Sequence, residues 1–485
     1  MGKGARSKAV AAEKRAVAKE REIKQARQKK TTMIVCIAVV AALLIGVGYL
    51  AGAGWYRSSG IAQRSQIVMR SENFEVNGSM MSYLIFNQYK NYVTSYSQYL
   101  SAMSLDTSKN LRDQTTSDGK TWYQYFADSA TSTMKTTLAT CEVAKAAGME
   151  LTEEEIDAVK IRAKAVYNTG VNGKGVNEQD IIDVLKLAQL AQKYELETKK
   201  GLVPSAAQIE ERYAKDPRAF QVASYYRYTI NYVKDGEEAK DGKLTEADAR
   251  ALAEKLSSAA TVDDFKTVLE VHLGDIESTS KVDSFLVEDG SFTSGTTAMD
   301  WLFSAETAAN ASLVDEDNDK LTLSVYRMVT PAHRQEEATI AVRHILLSAS
   351  ATTDAAKAAA RKEAESVYAK YQKNPSEATF IRLAMAYSGD GNYASGGIYE
   401  GVYPGQMVDS FNNWCFDEAR KPGDTDIVDT TYGSHIMYFV GNDLPRWQTL
   451  VRDTIVSESY KEISDKISTD SITVLDALIA DLTIQ

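Results

Sequence analysis

Cysteine and histidine are scarce in this chain, which has three cysteines and four histidines among 485 residues. Cys36 lies inside the longest apolar run, so only Cys141 and Cys415 are left for the rest of the chain. Two cysteines are too few for a disulfide framework, and we expect both to be buried as small hydrophobic residues. Met33-Ile34-Val35, before Cys36, lacks the small residue that a lipid-modification site needs, so we expect no lipidation.

Basic residues are under-represented outside the amino terminus. The chain has 55 Lys and Arg against 66 Asp and Glu, a formal net charge of −11, yet residues 1–30 carry eleven Lys and Arg and only three Glu. The part of the chain after residue 30 is therefore more acidic than the net charge of the whole chain suggests. A basic tail on an acidic body can indicate nucleic-acid binding, but this tail runs directly into an apolar segment, which gives it another meaning. We predict no nucleic-acid partner.

No charged residue occurs from Thr31 to Tyr56. As a helix rising ~1.5 Å per residue, Met33 to Ala53 would span about 31 Å, close to the ~30 Å hydrocarbon core of a bilayer. The Lys/Arg-rich side of such a span stays in the cytoplasm, and Trp55 suits the outer interface. The sequence predicts a basic cytoplasmic tail (1–31), a single transmembrane helix (32–56) and an extracytoplasmic body on the cell membrane.

A cleaved signal peptide is the alternative interpretation of this segment. Ala51-Gly52-Ala53 has the small-x-small form of a cleavage site. The apolar run is longer than the roughly 7 to 15 residues of a signal-peptide core, and the charged leader is long, so an uncut anchor is favoured.

Residues 62–221 have the pattern of a helical domain, with Tyr-rich amphipathic stretches such as SYLIFNQYKNYVTSYSQYL. Capping-box sequences at Thr152-x-x-Glu155 and Ser205-x-x-Gln208 predict helix starts. No metal-ligand or nucleophile motif occurs there. The aromatic rows favour core packing over a groove for unfolded chains. Residues 445–485 also have a helical pattern. Our hypothesis is that this segment packs on the helical domain of residues 62–221.

Two later segments follow one pattern. Tyr228 and Trp301 are 73 positions apart, and His344 and Trp414 are 70 apart, while the following intervals to Tyr326 and Tyr438 are 25 and 24. Each copy has the order strand, helices, loop, short helix, strand, which is typical of a small α+β domain. We place these domains at 223–331 and 338–442, and aligning them on their strands sets Tyr228 against His344 and Leu323 near His435.

The second copy resembles the parvulin family of peptidyl-prolyl cis-trans isomerases. Five motif blocks carry the resemblance: His344-Ile345-Leu346, Ser388-Gly389-Asp390, Gly396-Gly397, Gly405-Gln406-Met407 with Phe411 and Phe416, and Gly433-Ser434-His435-Ile436. With the anchor and the helical region, the whole layout resembles extracytoplasmic foldases of the SurA and PrsA type. The resemblance implies an α+β chain with a transmembrane helix, a chaperone-like helical domain and two parvulin-like domains.

The resemblance also implies roles for individual residues. It implies three catalytic groups: His344 and His435, which would bond to each other beneath the substrate pocket, and Asp390, which would lie at its polar rim near the substrate carbonyl. Met407 and Phe411, four positions apart, would share one face of a helix and seat the proline ring. The full substrate-binding set is Met407, Phe411, Phe416 and Tyr399. We expect no cofactor and no metal, because rotation about an amide bond needs neither.

The chain departs from the family pattern in two places. The loop GGIYEGV stands where the family has GGDLGxF, so Tyr399 replaces a leucine and the pocket wall is altered. The loop SASATTD has no Lys or Arg, which argues against recognition of a phosphoserine before proline. The first copy has no histidine on its aligned strands and no GQM helix, so we interpret it as a degenerate domain.

Two functions of different class fit these features. One is a membrane-tethered prolyl isomerase and folding chaperone for exported proteins, whose partners would be unfolded or proline-containing exported polypeptides. The other is a non-catalytic, membrane-anchored holdase whose parvulin domains only bind unfolded clients. The sequence leaves a homodimer open.

Overall fold

The computed structural model of the chain describes residues 60–170, 172–239, 242–276 and 278–484. The predicted cytoplasmic tail (1–31) and transmembrane helix (32–56) lie outside these residues. Within the described ranges, no helix combines the length and apolar composition that a membrane crossing requires.

The first part of the described chain is mainly helical. In chain order its elements are α1 (Ile61–Arg64), β1 (Ile67–Arg70), β2 (Glu75–Asn77), α2 (Gly78–Ser95), α3 (Trp122–Ala146), α4 (Glu153–Asn168), α5 (Glu178–Lys200) and α6 (Ala206–Lys215). The sequence pattern did not reveal the two short strands, because three or four residues are too few to show a period of two.

The remaining elements alternate strands and helices, which confirms the predicted α+β class. They are β3 (Gln221–Val233), β4 (Leu244–Thr245), α7 (Glu246–Ser257), α8 (Val262–Asp275), β5 (Leu286–Ser291), α9 (Thr297–Leu302), β6 (Ser312–Asp317), β7 (Thr322–Arg334), β8 (Ile340–Ser348), α10 (Asp354–Gln372), α11 (Glu377–Tyr387), β9 (Ile398–Val402), α12 (Asp409–Cys415), β10 (Thr425–Thr430), β11 (Gly433–Asn442), α13 (Arg446–Ser464), β12 (Thr473–Val474) and α14 (Asp476–Ala480). Short 3-10 helices lie at Leu111–Asp113, Pro217–Phe220, Val282–Phe285 and Gly391–Ser395.

The helix starts that the sequence predicted are present. The Ser205 side chain accepts the N–H of Gln208, whose side chain returns to the Ser205 backbone, so both halves of a capping box form at α6. Thr152 and Glu155 exchange the same two bonds before α4, at 2.7 and 3.2 Å. These bonds satisfy backbone N–H groups that the first turn of a helix leaves without partners.

The described residues form two compact units. The first contains residues up to 142, residues 163–187 and the carboxyl-terminal residues from 469 onward. Its antiparallel sheet has the order β12-β1-β2. The Tyr123 hydroxyl donates to the carbonyl of Ile479 at 2.7 Å, so the last residues of the chain complete this unit. Cys141 is buried in this unit, as predicted.

The second unit contains residues 143–162 and 188–468 and holds two larger sheets. One sheet has the order β4-β3-β7-β6, with β5 paired to β3, and the other has the order β10-β11-β8-β9. Each is built around a long antiparallel pair, β3 with β7 and β8 with β11. The two helices between the long strands cover one face of each sheet, and a short helix, α9 or α12, covers the other. Cys415, the last residue of α12, is buried, as predicted.

Strand register relates the two sheets residue by residue. Tyr225 pairs with Met328 and with Val287, as Val342 pairs with Phe439 and with Tyr399. Two positions farther along, Arg227 therefore occupies the place of His344. On the partner strand, Ser324 occupies the place of His435, because Thr229 pairs with Ser324 as Leu346 pairs with His435.

The sequence alignment of the two copies was wrong by one residue. It set Tyr228 against His344 and Leu323 near His435. The side chains of Tyr228 and Leu323 pack under α7 and α8, on the face opposite the one covered by the short helix α9. Successive strand residues point to opposite faces, so a slip of one position exchanges the two faces. Apolar residues on both faces of β3 hid this alternation from the sequence.

Candidate active site

The two histidines lie on the central strands of the second sheet, on the face covered by α12. His344 on β8 pairs with Met437, and His435 on β11 pairs with Leu346, so the imidazoles are diagonal neighbours. Their Nδ1 atoms are 3.1 Å apart and the rings are stacked with an interplanar angle of 22°. Only 2% of His344 and 5% of His435 are exposed. The histidine pair is thus a buried, mutually bonded unit.

A hydrogen-bond chain runs through this pair. The Thr430 hydroxyl, at the end of β10, lies 2.9 Å from His435 Nε2 and 3.4 Å from the Gly433 carbonyl oxygen, and it accepts the N–H of Tyr432. In the tautomer in which Thr430 donates to Nε2, His435 donates from Nδ1 to His344, which carries its own proton on Nε2. That Nε2 points toward Asp390 Oδ2 at 3.7 Å and has no hydrogen-bond partner within the described residues. The carboxylate favours this tautomer, because it faces a proton and not a lone pair.

Burial keeps both imidazoles neutral. It lowers the pKa of His344 to about 4, with a further lowering from His435 and an opposing effect of Asp390. Burial likewise lowers the pKa of His435 to about 4, against the carboxylates of Asp390 and Asp429. Removing water from a histidine disfavours its charged form. At neutral pH the pair therefore serves as a hydrogen-bonded support without charge.

These pKa values predict how stability depends on pH. An exposed histidine has a pKa near ~6.5, so between pH 6.5 and about 4 the unfolded chain binds protons that the folded domain refuses. Stability should be full above pH 6.5 and decrease as the pH falls, by about 2 kcal/mol per histidine at pH 5. Urea unfolding at pH 7.5 and pH 5 measures this loss. His435→Gln should reduce the loss, whereas His333→Gln, which changes an exposed histidine, should not; equal losses in all three proteins would contradict the account.

Asp390 lies in a tight segment between α11 and β9. Ser388 Oγ accepts the N–H groups of Leu346 and Asp390 at 3.1 and 3.2 Å, and so attaches this segment to β8. Gly389 donates its N–H to the Leu346 carbonyl at 2.7 Å. A Cβ at Gly397, where φ is +72°, would lie 2.2 Å from the His344 carbonyl oxygen. Only glycine allows that approach, which accounts for the second glycine of the GG block.

Tyr399 covers the His344 ring. The two rings stack with centroids 5.0 Å apart, and the Tyr399 hydroxyl donates to Asp390 Oδ1 at 3.1 Å. Burial, and then the Asp390 carboxylate, raises the pKa of Tyr399 to about 12, so its hydroxyl stays a donor. The sequence suggested that Tyr399 packs on a proline ring; in the structure its polar end is held by Asp390.

Apolar side chains close the other side of the histidines. Phe411 on α12 meets both imidazoles edge to face, with ring centroids 5.5 Å apart. Met407 and Phe416 are partly buried against the same cluster. Helix α12 begins only at Asp409, so the prediction that Met407 and Phe411 share a helical face was wrong: Met407 precedes the helix. The turn before it is fixed by Gly405, which donates its N–H to Asn412 Oδ1 at 2.7 Å.

All seven residues predicted for the site thus lie around one histidine pair, although their individual roles stay predictions. The sequence did not predict that Thr430 bonds to His435, or that the Ser388 hydroxyl attaches the Asp390 segment to β8. A threonine in the strand facing a buried histidine is a weak signal, because its spacing of five residues crosses a turn. Within the described ranges, no group of three His, Cys, Asp or Glu side chains is placed to hold a metal ion.

Comparisons with known proteins assign this domain. A family model described as the PPIC-type PPIASE domain matches residues 323–441, and its match begins within β7. The chain carries a parvulin-type peptidyl-prolyl isomerase domain. For this domain, the resemblance to the parvulin-type isomerases predicted from the five motif blocks is confirmed.

Solved structures give weaker likenesses. PrsA from Bacillus subtilis is 16% identical over 76% of this chain and 91% of that protein, with a TM-score of 0.21. PrsA from Bacillus anthracis is 17% identical over 50% and 92%, with a TM-score of 0.19. A SurA-like chaperone from Campylobacter jejuni is 21% identical over 27% and 51%, with a TM-score of 0.17. These scores are too low to bear on function. No curated protein sequence matches the chain.

The parvulin site has no counterpart in the preceding sheet. Arg227 and Ser324 replace the two histidines, and Val287 replaces Tyr399. On the short helix, Ala298 takes the place of Phe411, since Ala298 and Leu302 are buried on α9 as Phe411 and Cys415 are on α12. That sheet therefore has neither the imidazole pair nor an aromatic residue at the position of Phe411.

Proposed function

We propose that the chain is a membrane-tethered foldase, which isomerises X-Pro bonds in exported polypeptides and holds unfolded segments of them. The observation that carries the catalytic part is the buried, neutral His344 and His435 pair, with Phe411 on one side and Asp390 on the other. An unaided X-Pro bond isomerises in tens to hundreds of seconds, slowly enough to limit folding.

In the proposed mechanism no covalent bond forms or breaks. The barrier of roughly 18 to 20 kcal/mol arises because a twisted amide loses its resonance. Met407, Phe411 and Phe416 would hold the proline ring while the preceding carbonyl rotates. The catalytic gain would come from groups that bind the twisted amide better than the planar one.

The polar groups are arranged for that task. Asp390 is held by the Tyr399 hydroxyl and by the N–H of Asn392 at 3.0 Å, so its carboxylate is oriented before a substrate binds. His344 Nε2 is buried 3.7 Å from Asp390 Oδ2, and in its protonated tautomer it would support this carboxylate from beneath, so that Asp390 is the polar group nearest the rotating carbonyl. The neutral pair avoids placing a charge in an apolar pocket.

A non-catalytic holding function is the second candidate, and the preceding sheet favours it. This sheet keeps the register and helix order of the parvulin domain without its histidines or Phe411 equivalent. A fold kept without its site is expected to serve packing or client binding. Both functions are compatible in one chain, with catalysis confined to the parvulin domain.

The membrane tether is supported by the sequence alone. The basic residues before Thr31 and the uncharged segment to Tyr56 favour a cytoplasmic tail and an extracytoplasmic body. Protease added outside intact cells should digest the body and spare an epitope on the tail, and permeabilised cells should lose both. A mature protein beginning at Gly54 would instead indicate a cleaved signal peptide.

A further inference from the structure

Helix α4 contacts the parvulin domain at the segment that carries Asp390. Ala158 on α4 is buried with Met385 and Ala386 at the end of α11. One turn later, Arg162 Nε donates to the Met385 carbonyl at 2.7 Å and Nη2 donates to the Ser388 carbonyl at 2.5 Å. The family match begins at residue 323, so this arginine lies far outside the matched sequence.

The arginine matches the chemistry of a helix end. The last four carbonyls of a helix have no partner within it, and the helix dipole makes that end negative. Arg162 supplies two donors in a fixed fork and a positive charge at this point. The central carbon of its guanidinium also lies over the Tyr393 ring, 3.5 Å from the ring centroid. Tyr393 belongs to the 3-10 helix that follows Asp390.

A second helix holds the far end of the same segment. Gln189 Nε2 on α5 donates to the Ala394 carbonyl at 3.2 Å. The backbone from Met385 to Ala394 is thus bonded at both ends to helices outside the parvulin motif. Ser388 lies in the middle of this linkage, because its carbonyl accepts from Arg162 while its Oγ accepts the N–H of Asp390.

We propose that Arg162 is a positioning residue for the isomerase reaction, which fixes the Ser388 to Ala394 segment so that Asp390 faces His344 and the substrate carbonyl. This inference rests on the role proposed for Asp390. Without Arg162 the carbonyls of Met385 and Ser388 must find water, and the segment gains freedom to move Asp390 away from His344. The proline seat lies on other elements, α12 and the turn before it, and should not change.

Arg162→Met tests the proposal in the full chain purified in detergent, because methionine keeps much of the stem and removes the fork. We expect kcat for an Ala-Pro peptide to fall about tenfold while KM stays within twofold, since only the group acting on the rotating carbonyl is displaced. Lys160→Met, an exposed change on the same helix, should leave both constants unchanged. Amide hydrogen exchange at Gly389 should become faster in Arg162→Met only.

Tyr393→Leu provides a second variant if Arg162→Met unfolds at the assay temperature. It removes the ring beneath the guanidinium and should lower kcat in the same direction, by about threefold. A wild-type kcat in folded Arg162→Met, or a raised KM with kcat unchanged, would overturn the proposal. A wild-type chain without any turnover would refute the proposed function itself, and so the two failures are distinguishable.

Discussion

Phe411→Ala should lower kcat/KM for X-Pro isomerisation at least tenfold and destabilise the parvulin domain by about 3 kcal/mol. The ring is 3% exposed and meets both imidazoles edge to face, so its removal opens a cavity beneath the histidine pair as well as in the proline seat. A protease-coupled or NMR exchange assay measures the first effect, and urea unfolding measures the second.

Met407→Ala separates the two effects of that change. Met407 is only partly buried and precedes α12, so its truncation should lower kcat/KM about tenfold with a loss of stability near 1 kcal/mol or less. Met407→Leu, which preserves apolar volume, should stay within threefold of the wild type. Full activity in both alanine variants would show that the proline ring is seated elsewhere.

Combining Asp390→Ala with Met407→Ala in the full chain should remove all measurable turnover, a loss of at least a hundredfold. One change removes the polar rim and the other the apolar seat, and the preceding sheet offers no replacement for either. That sheet holds Arg227 at the position of His344 and Ala298 at the position of Phe411, so it does not contain a second copy of the site. Peptide turnover measured at a range of enzyme concentrations gives the residual rate.

The matched control changes the equivalent site in the preceding sheet. Arg227 is exposed there, and Arg227→Gln should leave turnover unchanged. Residual turnover in the double variant that disappears on adding Arg227→Gln would show that the first copy is catalytic. The confinement of activity to the parvulin domain would then be wrong.

Much of the site could be predicted from the sequence, because its groups come from short motifs with strict backbone needs. The GG block requires a positive φ at Gly397 and a close approach to His344, and each of the two histidines lies in a short apolar strand. Such local constraints can be recognised in a single sequence. The α+β order of each copy could be predicted from the periodicity of apolar residues in its strands and helices.

Other features of the structure could not be predicted from the sequence. Arg227, and not Tyr228, is equivalent to His344. This equivalence depends on which face of β3 meets α9, and the sequence does not show it because both faces of β3 are apolar. Arg162 lies more than two hundred positions before the carbonyls that it binds, and a lone arginine on an amphipathic helix has no distinctive spacing. Contacts between distant segments are fixed by tertiary packing, which a single sequence does not display.

The most direct measurement is the cis-trans exchange rate of an Ala-Pro peptide in the presence of the full chain, followed by NMR exchange spectroscopy. We expect exchange far faster than the uncatalysed process of tens to hundreds of seconds, with the acceleration abolished when Asp390 and Met407 are both replaced by alanine. Exchange at the uncatalysed rate with the wild-type chain, or acceleration that survives both substitutions, would contradict the assignment of catalysis to the His344 and His435 site.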